Sequence, residues 1–533
     1  MKPNVLTFFP KDYAYPWQEE FLELVVDAFD NKNLKTIVAE APVGFGKSAV
    51  AICLAKYYFT GHILTPRKAL QDQYFEDFTK DVALLKGMSN YPCYPAGSDR
   101  AEWYASRDEQ LKGKMTYPVA MDTIKKGGTP IFRGLNCASA PCHTDAETAK
   151  GCAKSHKCPF DVAIDKVMTK NIVVSNLHSF IANASRMEKK ELIIVDECHD
   201  MEGIVRDFIS KSVTVPYPVI YGRVSDIPES EDIDEWVAFF RQKKFTDNLQ
   251  SDEEREEYQL MIDKLVEYSP KNFVVSYKEN EFCTKTTFTF IPRNLGNAAD
   301  FFLLKYGERQ LMMSGTIYDK ETFCRRNGLN PDTTMFIRVP SVFPVQNRPI
   351  FMKDQFMTDN SFRHFEENYS RMLDNCRRAF DVYHNVKGLI HAPSYAVAER
   401  MAFDLGSRVL FHTPENFTEV FNYFVNESEP NAVLISPICA QGIDLKYDKA
   451  RFQLIVRVPY PNAADAFVAD MLKKNFQAYN YYALLTFGQM LGRVMRAPDD
   501  WGHTILLDSR FKKFLASNRS LLPPDVFQCL RTK

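Results

Sequence analysis

Two series of short apolar runs constrain the fold of this chain more than any other feature. Each run is rich in Ile, Val and Leu and precedes a turn and a helix-compatible segment, the pattern of buried strands in a parallel α/β sheet. The first series is 36–39, 63–65, 172–174, 192–195 and 311–313, and the second is 388–390, 409–411, 433–435, 454–456 and 504–507. The sequence therefore predicts two parallel-sheet α/β domains, divided near residue 345, where Pro340, Pro344 and Pro349 crowd together.

Two stretches interrupt this alternation of strands and helices. Residues 86–165 hold five of the twelve cysteines among Gly, Pro, Lys and polar residues. Residues 215–290 predict a separate module of two helices and a hairpin. Its second helix would begin at a capping box of Ser251 and Glu254. Its first helix would bury one apolar face, made by Ile233, Trp236, Val237 and Phe240.

Composition bounds the class of protein without naming a function. At 533 residues the chain has room for about three or four packed units. Its 66 basic and 68 acidic residues give a net charge of −2, so any surface for nucleic acid must be a local patch. The N-terminus lacks the apolar core of a secretory signal, and no run of 18 apolar residues occurs. We therefore expect a cytoplasmic protein with no membrane partner, whose clustered thiols are reduced and suit a metal.

The segment after the first predicted strand has the pattern of a phosphate-binding loop. Gly44 and Gly46 would let backbone N–H groups close on phosphate oxygens at the start of a helix. Lys47 would reach the β- and γ-phosphates, and Ser48 would ligate Mg²⁺. The plain alternative is a glycine-containing turn before a chance lysine. The strand before the loop and the helix after it favour the phosphate site.

A pair of acids follows the buried run 192–195. Asp196 and Glu197 would lie at the carboxyl end of a strand, where ligands bind in open α/β sheets. Asp196 would hold Mg²⁺, and Glu197 would orient and deprotonate the attacking water. A solvated acidic strand end is the alternative, and the phosphate loop on the same chain argues against it.

A third motif lies far along the chain, at 489–496. If this segment is helical, Gln489, Arg493 and Arg496 fall at i, i+4 and i+7 and share one face. Guanidinium forks suit a transferring phosphoryl group, whose charge is spread over three oxygens. A surface helix with its arginines paired to acids is the alternative.

Taken in order, these motifs resemble those of superfamily 2 helicases of the XPD/DinG group over nearly the whole chain. The matching segments are YPWQ at 15–18 (Q motif), EAPVGFGKS at 40–48 (P-loop), TPRKALQDQ at 65–73 (motif Ia), DECH at 196–199 (a DEAH box variant), SGT at 314–316 (motif III), QGID at 441–444 (motif V), PYP at 459–461 and QMLGRVMR at 489–496 (motif VI). Phe45, Cys198 and Gln441 depart from the family pattern.

The resemblance adds roles that the residue patterns alone do not give. It implies that Gln18 and Asp444 contact the nucleotide and that the motif Ia residues contact the DNA backbone. Those motif Ia residues are Thr65, Arg67 and Lys68.

The resemblance also implies a fold of two RecA-like motor domains, with an iron–sulfur insert and an arch-like α+β insert in the first. The first motor domain would take residues 1–85, 166–214 and 291–345, the cysteine-rich insert 86–165, the arch-like insert 215–290 and the second motor domain 346–533.

In the family, four cysteines of the first insert hold a [4Fe–4S] cluster. A four-thiolate set accommodates iron–sulfur or zinc, and spacing does not separate them. The resemblance favours [4Fe–4S], with Zn²⁺ as the alternative. Five cysteines compete for four positions: we select Cys93, Cys142, Cys152 and Cys158, with Cys137 as the substitute.

The expected activity is ATP-dependent unwinding of DNA by translocation on a single strand, with 5′ to 3′ movement implied by the resemblance. ATP and Mg²⁺ are the expected cofactors. The expected partners are single-stranded and forked duplex DNA and also DNA–RNA hybrids, bound by a monomer of bacterial or phage origin. The nearest alternative is a nucleic-acid-stimulated ATPase that remodels complexes without separating strands. A scaffold with a vestigial site is disfavoured by the complete motif set, and a fused nuclease by the short ends of the chain.

Overall fold

The computed structural model describes residues 3–91, 137, 158–216, 227–268, 272–280, 282, 284–440, 443, 445–497 and 499–532, without the side chains of 267 and 268. Its helices, numbered along these residues, are α1 Pro16–Asp30, α2 Lys47–Tyr57, α3 Lys68–Asp77, α4 Pro159–Met168, α5 Leu177–Ala182, α6 Met201–Ile209, α7 Ile233–Phe240, α8 Lys243–Thr246, α9 Asp252–Tyr268, α10 Ala298–Phe302, α11 Lys320–Arg326, α12 Phe365–Val382, α13 Tyr395–Leu405, α14 Phe417–Asn426, α15 Ala466–Lys474, α16 Phe476–Leu491, α17 Phe511–Ser517 and α18 Pro524–Cys529.

Seventeen strands accompany these helices in the described part of the chain. They are β1 Thr36–Glu40, β2 Gly61–Thr65, β3 Ala83–Leu85, β4 Ile172–Asn176, β5 Lys190–Asp196, β6 Lys211–Val215, β7 Phe273–Glu279, β8 Thr286–Pro292, β9 Gly307–Ser314, β10 Thr334–Arg338, β11 Ile350–Phe351, β12 Gly388–His391, β13 Val409–Phe411, β14 Val433–Ser436, β15 Phe452–Ile455, β16 His503–Leu506 and β17 Leu530–Arg531.

The chain divides into two compact units. The first comprises 1–14, 48–196 and 301–311, and the second comprises 15–47, 197–300 and 312–533. In the first unit the strand order is β9-β5-β2-β4-β3, and in the second β1 lies between β10 and β9. The strand order of this seven-stranded sheet is β10-β1-β9-β5-β2-β4-β3. The pairs β1–β10, β2–β4, β2–β5 and β3–β4 are parallel, with Gly61 opposite Leu192 and Thr36 opposite Thr334.

A second seven-stranded sheet lies wholly in the second unit, in the order β13-β14-β12-β15-β16-β11-β17. Its strand β12 pairs in parallel with β14 and β15, and Gly388 is opposite both Val433 and Phe452. A Cβ at Gly388 would overlap the Phe452 ring, so glycine is required where this ring crosses the strand. The prediction of two parallel α/β sheets is confirmed.

The module inserted between β5 and β9 is an antiparallel sheet with helices, and β8 lies between β6 and β7. Its helices pack an aromatic core onto this sheet, and Trp236, Val237 and Phe240 are buried as the sequence predicted. Ser251 Oγ accepts the Glu254 N–H at 3.1 Å, which caps α9. The predicted helices and hairpin are therefore present, and β6 adds a third strand.

The prediction of a helix through 489–496 is wrong beyond Leu491. Helix α16 ends at Leu491, and Gly492 is its C-cap residue. Gln489 alone of the three motif VI side chains lies on the helix, so the i, i+4, i+7 face does not form. Among the described residues, no helix combines the length and apolarity needed to cross a bilayer.

Candidate nucleotide-binding site

The phosphate loop connects β1 to α2 through two glycines with left-handed backbones. Gly44 has φ +82° and Gly46 has φ +85°. A Cβ at Gly44 would overlap the Phe343 ring, and one at Gly46 would overlap the Gln18 amide. Both positions therefore require glycine for conformation and for space. Lys47 and Ser48 open α2, so the first helical N–H groups face the loop.

Phe45 departs from the family pattern because its ring serves the core. It is fully buried and packs edge-to-face on Phe21, with ring centroids 5.2 Å apart. Its carbonyl accepts the Gln18 side-chain amide at 2.7 Å, while Gln18 Oε1 accepts the Tyr15 N–H at 2.9 Å. Gln18 is predicted to contact the nucleotide, and in this structure its side chain hydrogen-bonds to the phosphate loop and to the start of α1.

Lys47 and Glu197 form the central ion pair of the candidate site. Lys47 Nζ lies 3.1 Å from Glu197 Oε1 and 3.4 Å from the Ala41 carbonyl oxygen. Burial alone would raise the pKa of Glu197, but the Lys47 ammonium and the His199 ring hold that pKa well below its usual range. Glu197 is therefore an ionised base, and its side chain is 25% exposed, which leaves it open to water.

The backbone at Glu197 is strained. Its φ of +54° lies in the left-handed region, which non-glycine residues rarely adopt. This turn places His199 Nδ1 2.8 Å from Ser314 Oγ and 3.3 Å from Glu197 Oε2. Ser314 Oγ in turn lies 3.3 Å from Glu197 Oε2. The DECH box and motif III thus share one hydrogen-bonded cluster.

Asp196 and Ser48 are the predicted Mg²⁺ ligands. Asp196 ends β5, is 1% exposed and accepts a hydrogen bond from the Tyr74 hydroxyl at 2.9 Å. Ser48 lies in the first turn of α2. Carboxylate and hydroxyl oxygens are the donors that Mg²⁺ prefers, so these side chains suit the ion in chemistry. When bound, Mg²⁺ would neutralise charge on the β- and γ-phosphates.

Glu40 joins the end of β1 to the segment after motif III. Its carboxylate pairs with Arg338 at 2.8 Å and accepts the backbone N–H groups of Ile317 at 3.2 Å and Tyr318 at 2.5 Å. Burial raises the pKa of Glu40 despite these partners. The residue thereby fixes the chain that follows motif III against the strand that leads into the phosphate loop.

Two side chains of motif VI, Gln489 and Arg493, make hydrogen bonds that show where the motif lies. Gln489 Nε2 donates to Thr316 Oγ1 of motif III at 2.5 Å. Arg493 is 5% exposed and donates to the Ile443 carbonyl at 2.8 Å, the Gln489 carbonyl at 2.8 Å and Gln489 Oε1 at 3.2 Å. A Cβ at Gly492 would come 3.3 Å from Val43 of the phosphate loop. Motif VI, motif III and the phosphate loop therefore meet.

Arg496 and Thr65 of motif Ia make local hydrogen bonds to main-chain carbonyls. Arg496 Nη1 donates to the Gly492 carbonyl at 3.3 Å. Thr65 is fully buried and its hydroxyl donates to the Arg67 carbonyl at 3.2 Å, whereas Lys68 is exposed. Asp444 lies outside the described residues, as does Gln441.

Three of the predicted metal ligands, Cys93, Cys142 and Cys152, also lie outside the described residues. Cys158 precedes α4, and its Sγ is 3.6 Å from the Sγ of Cys137, the substitute ligand. The hydrogen bond with Cys137 lowers the pKa of Cys158 to about 6. A buried thiol beside a thiolate suits a thiolate-ligated metal. The described residues alone include no group of three metal-ligating side chains.

Sequence reasoning missed several polar residues of the cluster as individual participants. They are Glu40, Tyr74, His199, Ser314 and Thr316. A buried acid at a strand end and a serine closing an apolar run were the signals available for Glu40 and Ser314. Nothing in the sequence marked Tyr74, because an aromatic at helical spacing usually indicates core.

Comparison with known proteins finds similarities to helicases in both halves of the chain. Residues 381–525 match the helicase C-terminal domain family, and residues 13–212 match the family described as type III restriction enzyme, res subunit. The ATP-dependent DNA helicase YoaA of Haemophilus influenzae is 26% identical over 227 residues, 37% of this chain and 34% of YoaA. The chain is thus similar to superfamily 2 helicases of the XPD/DinG type.

Another relative and two solved structures show the same likeness. The Fanconi anemia group J protein homolog of Gallus gallus is 29% identical over 102 residues, 16% of this chain and 8% of that protein. A solved XPD helicase superposes with a TM-score of 0.61 at 15% identity, covering 96% of this chain and 98% of that one. An apo XPD structure gives a TM-score of 0.56 at 13% identity, covering 94% and 98%. These structures establish the fold. The matches span about a third or less of the two curated relatives' lengths.

Proposed function

We propose that this chain is an ATP-dependent DNA helicase that moves along single-stranded DNA and separates duplex ahead of it. The observation that carries the proposal is the Lys47–Glu197 pair, 3.1 Å apart, next to a loop whose two glycines have left-handed backbones. Lys47 is the group that would leave Glu197 for the γ-phosphate, which frees the carboxylate to accept a proton from water.

In this proposal each remaining motif has one task in hydrolysis. Ser48 and Asp196 hold Mg²⁺, and backbone N–H groups at Gly44 and Gly46 enclose the phosphates. Gln489, Arg493 and Arg496 stabilise charge that develops on the transferring phosphoryl group. Gln18 and Asp444 are retained as nucleotide contacts. Gln489 already bonds Thr316 of motif III, which supports a link between phosphoryl transfer and the motor.

For nucleic acid, we propose contacts by the motif Ia residues Thr65, Arg67 and Lys68. Arg67 and Lys68 are cationic, so they suit contacts with the phosphates of the DNA backbone. The buried hydroxyl of Thr65 could bind DNA only after its hydrogen bond to the Arg67 carbonyl breaks. The proposed substrates are single-stranded and forked DNA and also DNA–RNA hybrids, bound by a monomer in the cytoplasm. Movement would be 5′ to 3′, by likeness to the family.

We also propose the domain boundaries that the sequence predicts. Within them, residues 86–165 would hold a metal ion or cluster through cysteine thiolates. The 3.6 Å approach of Cys137 to Cys158 supports Cys137 over Cys142 as fourth ligand beside Cys93 and Cys152. Two thiolates on one Zn²⁺ would lie at about 3.8 Å, given Zn–S bonds of about 2.3 Å. Iron, zinc and sulfide analysis of anaerobically purified protein would separate [4Fe–4S] from zinc. Cys137→Ser should lose metal and Cys142→Ser should keep it. The reverse result would restore Cys142.

The test of function uses the full chain and a forked duplex with one fluorescent strand. We expect single-stranded DNA to stimulate ATP hydrolysis and ATP to drive strand release, faster from a 5′ than from a 3′ overhang. Lys47→Ala should abolish both, whereas Lys56→Ala on the same helix, which breaks only an ion pair with Asp81, should keep both. Stimulated hydrolysis without strand release would replace the helicase by a remodelling ATPase.

A further inference from the structure

A buried cluster of charged side chains lies outside the hydrolytic site. Glu202 and Arg206 of α6 are each 4% exposed, and Arg326 at the end of α11 is largely buried. Arg326 Nε donates to Glu202 Oε2 at 2.9 Å and its Nη2 to Glu202 Oε1 at 2.5 Å. Arg206 also pairs with Glu202 Oε1. We call Glu202, Arg206 and Arg326 the buried triad.

The triad carries one negative and two positive charges away from water. Its second positive charge is accommodated by neutral partners. Arg206 Nε donates to the Pro292 carbonyl at 3.0 Å, and its guanidinium lies 4.4 Å from the Phe467 ring centroid. Arg326 Nη2 donates to the Tyr482 hydroxyl at 2.8 Å. Burial alone would raise the pKa of Glu202, but the two guanidiniums lower it, so the carboxylate stays ionised.

The triad connects the elements that follow or lead into three motifs. Helix α6 follows the DECH box, α11 follows motif III, and α16, which carries Tyr482, leads into motif VI. Tyr482 and Gln489 are seven residues apart and share a face of α16. Tyr482 binds Arg326, and Gln489 binds Thr316. Helix α16 is thus held at two points along the segment 316–326.

We propose that the buried triad, acting through Tyr482, positions motif VI relative to the DECH box for hydrolysis. The inference rests on the proposed ATPase function and adds residues that touch neither nucleotide nor DNA. A buried ion triad is often no more stabilising than apolar side chains of the same volume. Its directional bonds do fix orientation, since the Arg326 fork has one geometry toward Glu202 and Tyr482. These residues are positioning residues.

The test compares two tyrosines of one helix in the full chain. Tyr482→Phe removes the hydroxyl that accepts from Arg326 and interacts with Glu202, and it leaves the rest of the ring in place. Tyr479→Phe is the matched control, because its hydroxyl donates to the Pro461 carbonyl at 3.1 Å, away from the triad. We expect Tyr482→Phe to lower kcat for DNA-stimulated ATP hydrolysis about tenfold, with KM for ATP within about twofold of wild type. Tyr479→Phe should leave kcat within about twofold.

Arg326→Lys sharpens the result, because lysine keeps the charge and loses the fork. We expect its kcat to fall at least as far as in Tyr482→Phe while thermal unfolding still shows a folded protein. Equal kcat in the two tyrosine variants, or a wild-type kcat in Arg326→Lys, would overturn the inference. A wild-type chain without DNA-stimulated hydrolysis would instead overturn the proposed function, and the triad's role with it.

Discussion

The two seven-stranded sheets share an architecture and differ in the state of their polar groups. Around the first sheet, Lys47 and Glu197 form a partly exposed pair beside a strained backbone. In the second sheet, His391, Gln453 and Thr504 form a fully buried chain, with His391 Nε2 2.9 Å from Gln453 Oε1 and Gln453 Nε2 2.8 Å from Thr504 Oγ1. A ligand can therefore replace one partner of the Lys47–Glu197 pair. The buried chain of His391, Gln453 and Thr504 has its hydrogen-bond partners within the protein and is not accessible to a ligand.

The acids of the two sheets show the same contrast. Glu197 is held ionised by a lysine that a phosphate could take over. Asp508, just after β16, is fully buried, accepts the Val458 N–H at 3.1 Å and pairs with Arg510 at 2.6 Å. Repeating a fold therefore does not repeat its chemistry, because reactivity requires a polar group whose partner can be displaced.

The largest effect should come from the base of the first sheet. Glu197→Gln removes the proposed proton acceptor, and we expect DNA-stimulated ATP hydrolysis to fall about 10³- to 10⁴-fold, with nucleotide still bound. Glu191→Gln on the same strand is the control, since Glu191 pairs only with Arg309 on the surface in the described contacts. Steady-state ATPase assays measure the rate of hydrolysis of both variants, and binding of a fluorescent nucleotide measures their affinity. Hydrolysis within tenfold of wild type would remove Glu197 from the mechanism.

The next effect should come from the arginine that motif VI adds to the first sheet's chemistry. Arg493→Ala should lower hydrolysis on the order of 10³-fold while nucleotide affinity changes only a few-fold. Some stability should also be lost, because the Ile443 carbonyl loses its donor. Arg377→Ala, which removes a surface arginine paired with Asp374, is the control. An Arg493→Ala enzyme with normal turnover would contradict the assignment.

A pH series compares buried histidines of the two sheets. Burial lowers the pKa of His62 in the first sheet and of His391 in the second to about 4. Between pH 6.5 and 4 the unfolded chain binds these protons and the folded one does not, so stability falls as the pH falls. Each histidine should account for about 3 kcal/mol at pH 4. Urea unfolding of His391→Gln and His62→Gln should each show a shallower loss. An unchanged pH dependence would refute the linkage.

The smallest effect should come from the closed polar chain of the second sheet. Thr504→Val leaves the Gln453 amide without its acceptor, so we expect about 1–3 kcal/mol of lost stability and hydrolysis by the folded protein within about twofold. Thr333→Val, at an exposed threonine, should cost less than about 0.5 kcal/mol. Denaturant melts and ATPase assays would decide. A large loss of turnover at unchanged stability would give the second sheet a catalytic role.

The sequence was sufficient for the strands because parallel buried strands are continuous apolar runs. All ten predicted runs overlap strands, while the missed β3, β11 and β17 are two or three residues long and β10 is only partly buried. The order of the motifs along the chain was sufficient to predict that Lys47 lies beside Glu197. It was not sufficient for the end of α16, because Leu491 and Val494 continue an apolar helical pattern through the glycine that stops it.

Contacts between residues distant in the chain were beyond sequence reasoning. Glu40 reaches Tyr318, and Arg326 reaches Tyr482, across more than 150 residues in each case. No periodicity encodes such pairs, since each depends on how separate elements pack. All of the individual site assignments stay predictions, and those at Cys93, Cys142, Cys152 and Asp444 also lie outside the described residues.

The most direct test of the central claim is a structure of the full chain bound to single-stranded DNA, Mg²⁺ and ADP with beryllium fluoride. We expect Lys47 Nζ to bind the terminal phosphate mimic, Glu197 to be released from Lys47 and to face the attacking water, and the Gly44–Ser48 backbone to surround the phosphates. A nucleotide bound elsewhere, or Lys47 still 3.1 Å from Glu197 beside an occupied site, would contradict it.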